Sequence, residues 1–347
     1  MIKQIRNKLI QVPWISKLGT LRRRLFSYKW DLGVADQSVI QRRYGEGENA
    51  SEETFFIVHE SQSGGIFVYL IGCMTQIAYA QKNGYVPVVD LLNFPNALRG
   101  ETQKDVNAWE LYFEQPAGVS VEAVYGAKRI IFHGEETCRV LHIGDVDPEK
   151  SYKEFDVVID EGKEFREWYL NPELMRRFKN FWQTNIRYSD RAKKYIEEQY
   201  RKIFPSEEKV LGVLCRGTDY ISLRPRGHYV QPTLDMIIAK IQEVTEKYHY
   251  KYVFCATEDD GIYNGLKSFF NGKIKLMGLD VERVRYKEGY LLNDLYKKQN
   301  MDISRRQLDY LTELELLSRC QGLIAGKTTG SRFLPVMKKG EYEYLYY

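Results

Sequence analysis

No C-x-x-C pair occurs anywhere in the 347 residues, and the five cysteines (Cys73, Cys138, Cys215, Cys255 and Cys320) are odd in number and scattered. Those absences exclude a zinc ribbon and argue against a disulfide framework. Thiols set mostly inside apolar runs read instead as reduced core residues of a cytoplasmic protein. No stretch approaches the roughly 18 consecutive apolar residues that a membrane-spanning helix needs. The N-terminus has neither a continuous apolar core nor a small-residue cleavage site, so no secretory signal is expected. No internal repeat and no low-complexity segment stands out, which excludes a repeat array.

Acidic residues are missing from residues 1–30, which carry eight Lys/Arg. The whole chain has a formal net charge of +4, so the remainder is negative and the basicity is local. Ile2, Ile5, Leu9 and Ile10, then Trp14, Leu18, Leu21 and Leu25, interleave with the bases as on an amphipathic helix broken near Pro13. That pattern suits an anionic membrane surface, and a solvated basic helix packed on the protein explains it equally well. No nucleic-acid partner is expected, because a negatively charged body would repel one.

What is present is ordinary globular composition, 44% hydrophobic and 28% charged, at a length that suggests two domains. Residues 1–50 form the basic arm and a linker. From Thr54 the chain reads as strand "TFFIVHE", glycine-rich turn "SQSGG", an apolar helix over Ile66 to Lys82 and a second strand "GYVPVVDL". This β–turn–α–β order signals a parallel sheet. Short strands are expected at Lys128 to Phe132 and Phe155 to Ile159. A helix capped by Ser189 runs to Ile203 ahead of Pro205, and the domains 51–188 and 189–347 divide there.

The second α/β run has strands "KVLGVLC", "YKYVFCAT", "KIKLMG" and "GLIAG". Its helices are expected from Leu234 to Tyr248 with Thr233 as N-cap, after "EDDG", from Arg305 to Cys320 with Ser304 and Gln307 as a capping box, and from Arg332 onward. The fold class is α/β, with two Rossmann-like, doubly wound domains facing a cleft. Ligands of such sheets lie beyond the C-terminal strand ends, so the residues after each strand are the candidates.

Arg216 ends the first of these strands. A guanidinium at a buried tip needs an anion, and its fork fits phosphate or carboxylate; a salt bridge to Asp219 is the internal alternative. Gly217 would let a ligand approach the backbone. Thr257, Glu258 and Asp259 follow the second strand and either cap a helix or bind ribose and sugar hydroxyls. Thr328, Thr329, Gly330 and Ser331 open a helix whose amides make a phosphate cradle. The nearby "GKT" is no P-loop, since that motif needs a glycine where Gln321 stands. Glu313 lies at the edge of a buried helical stripe with Leu316, Leu317 and Cys320, whereas Glu315 should be solvated. A carboxylate there wants donors, from a guanine N1–H/N2–H₂ pair or from a nearby Arg or Lys. The "DVD" at Asp145 to Asp147 reads as a surface turn, and no metal site is expected.

"GVLCRGTDY", "YVFCATEDD" and "ELELLSRCQGLIAGKTTGSR", in this order, resemble the three motif blocks of the GDP-fucose-dependent fucosyltransferase superfamily, which includes α1,2-, α1,6- and protein O-fucosyltransferases. "SGGIFVYLIGCMTQIAYAQKNGYVPVV" is similar to its N-terminal glycine-rich turn and helix. The resemblance implies a GT-B glycosyltransferase, inverting and independent of metal and cofactor, whose donor is a GDP-sugar held by the C-terminal domain. By position it implies Arg216 on the diphosphate, Glu313 on the guanine, and Thr328, Thr329 and Gly330 on phosphate. Leu214 stands where the blocks have histidine, Gly217 where they have a second arginine, Tyr220 where some members have lysine, and Glu313 where aspartate is usual.

Arg216 would stabilise the departing diphosphate, and Asp219, His228 and His59 are candidates for the base that activates the acceptor hydroxyl. His59, Gly64 and Gly65 mark the acceptor side. With the basic arm, these readings imply a glycan or lipid-linked oligosaccharide acceptor, at the inner face of the plasma membrane, in surface polysaccharide synthesis. A different nucleotide sugar, or an inactive nucleotide- or glycan-binding protein, are the alternatives.

Overall fold

A computed structural model describes residues 43–44, 50–60, 65–100, 103–132, 172–222, 229–285, 292, 296 and 301–347. The basic arm, Gly64, Asp145 to Asp147, the strand expected at Phe155 to Ile159 and His228 lie outside the described residues. The described residues divide into two compact units between Lys193 and Lys194.

The N-terminal unit is built on β1 (Phe55–Val58), α1 (Ile66–Lys82), β2 (Val86–Val89) and β3 (Ile130–Phe132). The strands pair in parallel in the order β2-β1-β3, with Phe55 opposite both Val86 and Ile130. Strand alternation sorts the side chains onto two faces. Phe55 and Ile57 enter a core with Tyr44, Phe94, Val121, Val124 and Phe132. Phe56 turns the other way, to the Tyr79 ring on α1, 5.7 Å between centroids. α2 (Pro172–Asn185) and the start of α3 (Asp190–Ile203) complete this unit. The α3 cap is Ser189, whose Oγ accepts from the Ala192 amide at 3.3 Å.

The C-terminal unit has β4 (Val210–Leu214), a short α4 (Thr218–Ser222), α5 (Leu234–Tyr248), β5 (Tyr252–Ala256), α6 (Asp260–Phe269), β6 (Lys275–Met277), α7 (Ile303–Arg319), β7 (Gly322–Ala325), α8 (Thr329–Met337) and β8 (Tyr344–Tyr346). Its five strands are all parallel, in the order β6-β5-β4-β7-β8. On one face Leu211, Val213, Val253 and Cys255 pack with Ile237, Ile241 and Val244 of α5 and Ile262 and Leu266 of α6. On the other, a side chain at Gly212 would run into Leu317 and Cys320 at the end of α7. Helices on both faces of a parallel sheet make the doubly wound arrangement.

Three local expectations are corrected. α7 starts earlier, because Asp302 rather than Ser304 caps it and accepts from the Arg305 amide at 3.1 Å. Asp302 is a strong N-cap type, and Ser304 falls inside the first turn, donating its hydroxyl to Asp302 at 2.8 Å. α8 starts at Thr329 rather than Arg332, on a Thr328–Ser331 capping box. The edge strand β8 was not anticipated.

Candidate functional site

The tip of β4 delivers Arg216 into a ring of acidic and phenolic groups. Its Nη2 lies 3.4 Å from Asp219 Oδ1 and its Nε 3.6 Å from Glu258 Oε1. The guanidinium also stacks on Tyr220, 4.7 Å from the ring centroid. Burial alone would lower its pKa, but the Glu258 and Asp219 carboxylates overcome that and raise it. The group is therefore a fixed cation, and the internal ion pair weighed from the sequence is present.

The backbone beyond Arg216 is tightly held. Thr218 has φ of 51°, a conformation a β-branched residue avoids. Its amide donates to Asp259 Oδ2 at 3.0 Å, and its hydroxyl lies 3.0 Å from both Glu258 Oε1 and Asp219 Oδ1. The Gly217 amide donates to Glu258 Oε1 at 2.9 Å. A Cβ on Gly217 would sit 2.5 Å from Asp259 Oδ2. The close approach that requires glycine there is thus made by Asp259, and a second arginine at this position has no room. Such local strain persists only where surrounding contacts over-determine it, and it clusters at functional sites.

At the tip of β5 the acids divide their work. Asp259 is the N-cap of α6, accepting from the Ile262 amide at 3.0 Å, and its own amide donates to the Thr257 hydroxyl at 3.2 Å. Glu258 turns instead to β4 and Arg216. At the tip of β7, Thr328 Oγ1 accepts from the Ser331 amide at 3.1 Å and Ser331 Oγ from the Thr328 amide at 2.7 Å. Their hydroxyls shape the helix start, which carries partial positive charge on its first amides. A side chain at Gly330 would strike the Tyr310 hydroxyl and Leu314. Arg332 is buried with its guanidinium 4.9 Å over the Tyr229 ring.

Glu313, on α7, is 7% exposed, and its buried Oε1 meets no donor among the described residues. Burial pushes its carboxyl up to about 8, against the pull of Arg283 and Arg306 and with the help of Asp309 and Glu258. Asp309, one turn earlier, is also shifted up by burial, although Tyr195 and Arg305 bond to it at 2.8 and 3.0 Å. Glu315 is not solvated as expected. It accepts from Arg319 Nε at 3.1 Å, and the same guanidinium bridges to Glu197 at 2.6 Å.

Tyr310 ties these tips together. Burial raises its pKa, and Arg216, Glu258, Glu313 and Tyr220 all act on it, while its hydroxyl abuts Gly330. The structure therefore gathers Arg216, Gly217, Asp219, Glu258, Asp259, Glu313 and the start of α8 at one end of the C-terminal sheet. Tyr310, Arg283 and Arg332 were not singled out from the sequence. Only "GSR" after β7 gave a signal, for Arg332. In the N-terminal unit, His59 is buried and stacks on Phe94 at 3.9 Å, its backbone amide bonded to Gln76 Oε1 at 3.2 Å. Gly65 is the N-cap of α1 in extended conformation. Among the described residues no helix is long and apolar enough to cross a membrane, and no cluster of potential metal ligands occurs.

No protein-family model matches the chain, and no curated protein does. Among solved structures it is similar to POFUT1 in complex with GDP-fucose, with a TM-score of 0.52 and 12% identity over 86% of this chain and 99% of that one. POFUT1 in complex with GDP gives 0.52 and 11% over the same shares. A fucosyltransferase NodZ from Bradyrhizobium reaches 0.49 and 17%, covering 83% and 94%. The fold is thus that of the POFUT1 structures, a GT-B-like α/β fold with Rossmann-like units.

Proposed function

We propose that this protein is an inverting, metal-independent glycosyltransferase that moves L-fucose from GDP-fucose to a glycan hydroxyl. One observation carries the reading: the fixed cation Arg216, the amide-rich start of α8 and the donor-seeking carboxylate of Glu313 meet around Tyr310. Those are the complements of a diphosphate and of a base edge with paired N–H groups. The likeness to POFUT1, solved with GDP-fucose, supports the same ligand class.

In this reading Arg216 and the Thr329 and Gly330 amides take the diphosphate. They stabilise the charge that grows on it as the anomeric bond breaks through an oxocarbenium-like state. The diphosphate takes the place of Glu258 and Asp219 on Arg216, and Glu258 turns to ribose or sugar hydroxyls beside Thr257 and Asp259 while Asp219 keeps its other bonds. Glu313 accepts from guanine. Asp219 orients the donor: Oδ1 is bonded to Thr218, and Oδ2 accepts the Leu292 amide at 3.1 Å. His228 and His59 are the candidates for the base that takes the acceptor's proton. The basic, amphipathic pattern of residues 1–30 supports a lipid-linked glycan acceptor at an anionic membrane.

Thermal-shift titration with GDP, UDP and ADP tests the donor site. GDP should stabilise the protein, and stabilisation by UDP alone would sink the reading. Arg216→Ala should weaken GDP binding by ~10- to 100-fold, the worth of charge-assisted hydrogen bonds; full affinity and turnover in that variant would contradict its role. The double engagement of Asp219 favours a second reading, a nucleotide-binding protein without turnover, which predicts GDP binding with neither hydrolysis nor transfer.

A further inference from the structure

Arg283 lies on the chain after β6. Its guanidinium stacks on the Tyr263 ring at 3.6 Å from the centroid. Nη2 donates to the Leu279 carbonyl at 3.0 Å and Nη1 to that of Val281 at 3.5 Å. With both ends tied, the side chain cannot swing, and its Nε–H is left buried without an acceptor among the described residues. An orphaned buried donor is costly, by about the desolvation of the group. Arg283 is also the foremost positive charge acting on Glu313, and both act on the Tyr263 hydroxyl. Among the described residues no ion pair joins them.

The chain around Arg283 is pinned to the site, the Val284 amide donating to the Glu258 carbonyl at 2.8 Å and Arg306 of α7 to the Glu282 carbonyl. A fixed donor and a fixed acceptor, each without a partner among the described residues, therefore stand on one buried flank of it. A ligand that satisfies both must present a hydrogen-bond acceptor next to donors. Guanine does so along one edge: O6, then N1–H, then N2–H₂. Adenine offers a donor at position 6 and an acceptor at N1, which would set donor against donor and acceptor against acceptor. Resting on the GDP-sugar reading, we infer that Arg283 is a specificity-determining residue that donates its Nε–H to the O6 position of the base while Glu313 accepts from N1–H and N2–H₂. The stack on Tyr263 and the two carbonyl bonds act as the brace that aims Nε.

The test is calorimetric titration of the full chain with GDP, 6-thio-GDP and inosine diphosphate. 6-Thio-GDP keeps both N–H donors and weakens only the acceptor at position 6, and inosine diphosphate removes only the N2 amine. Wild type should bind GDP ~10-fold or more tighter than 6-thio-GDP, as for a hydrogen bond to a charged group. Arg283→Met should lose that preference while keeping the preference over inosine diphosphate, and Glu313→Gln should do the reverse. A residue that merely braced its loop would, when replaced, weaken GDP and 6-thio-GDP alike, and that result overturns the inference. So does equal binding of the two by wild type, which needs no variant to fold. If GDP fails to bind while UDP or ADP does, the donor reading falls first and takes this one with it.

Discussion

Glu313 is the residue at which sequence, burial and chemistry pull hardest against each other. Helical spacing placed it at the edge of a buried stripe, and the structure takes it further in, 7% exposed. Its carboxyl titrates at about 8 in the folded protein against 4.5 when unperturbed, chiefly because burial disfavours the charge. The folded state therefore holds a proton that the unfolded chain has lost between those two values. Stability falls as pH rises from about 4.5 to about 8 and levels off above, by up to about 3 kcal/mol at pH 7. Glu313→Gln removes this slope, so its melting temperature should gain steadily on wild type between pH 5 and pH 8. GDP affinity should move the opposite way in wild type, tightening toward pH 8 as the ionised acceptor becomes available, and should be flat in the variant. Melting curves that run parallel across that range would show that Glu313 is not the titrating group. What the sequence could not convey is the neighbourhood. Asp309 and Arg306 share the helix with Glu313, but Arg283 reaches it through tertiary packing, and Arg319, which helical spacing sets beside Glu315, gains Glu197 in the same way.

Among the elements, α1 over Ile66–Lys82 and α5 over Leu234–Tyr248 were legible to the residue. In α5 the cause is local, since Thr233 caps the helix and accepts from the Met236 amide at 3.4 Å. β8 was not legible: its "YLY" is an exposed edge strand whose pairing with β7 is set by the fold. α8 lies between these cases. Its glycine and hydroxyls announced a helix start, but its reason for glycine is a contact with α7 that spacing cannot reveal. A methyl at Gly330 would lie 2.8 Å from Leu314 Cδ2 and collide with the Tyr310 hydroxyl. Gly330→Ala should destabilise the protein by ~1–3 kcal/mol, the usual cost of overpacking, and should also weaken GDP as the first amides of α8 shift. Adding Tyr310→Phe to that variant should return part of the stability, measurable by denaturant unfolding. No recovery would mean that the hydroxyl is not the obstacle.

At the scale of the whole molecule, each compact unit carries its own parallel sheet and core. Every group assigned here to the donor, from Arg216 to Ser331, belongs to the C-terminal unit, as does Arg283. Binding that touches only the folded form of one unit raises the free energy of unfolding of that unit by RT ln(1 + [L]/Kd), about 2.7 kcal/mol at a hundredfold excess over Kd. The units need not melt together, since multi-domain chains commonly depart from two-state behaviour. Scanning calorimetry should resolve two transitions, and GDP should move one of them upward in proportion to the logarithm of its concentration while leaving the other in place. Limited proteolysis at the intermediate temperature should identify the GDP-protected fragment as the one that begins near Lys194. If both transitions rise together, residues of the N-terminal unit hold the nucleotide as well, and His59 becomes the first to replace. If only the transition of the N-terminal unit rises, the assignment of the donor to the β4, β5 and β7 tips is wrong.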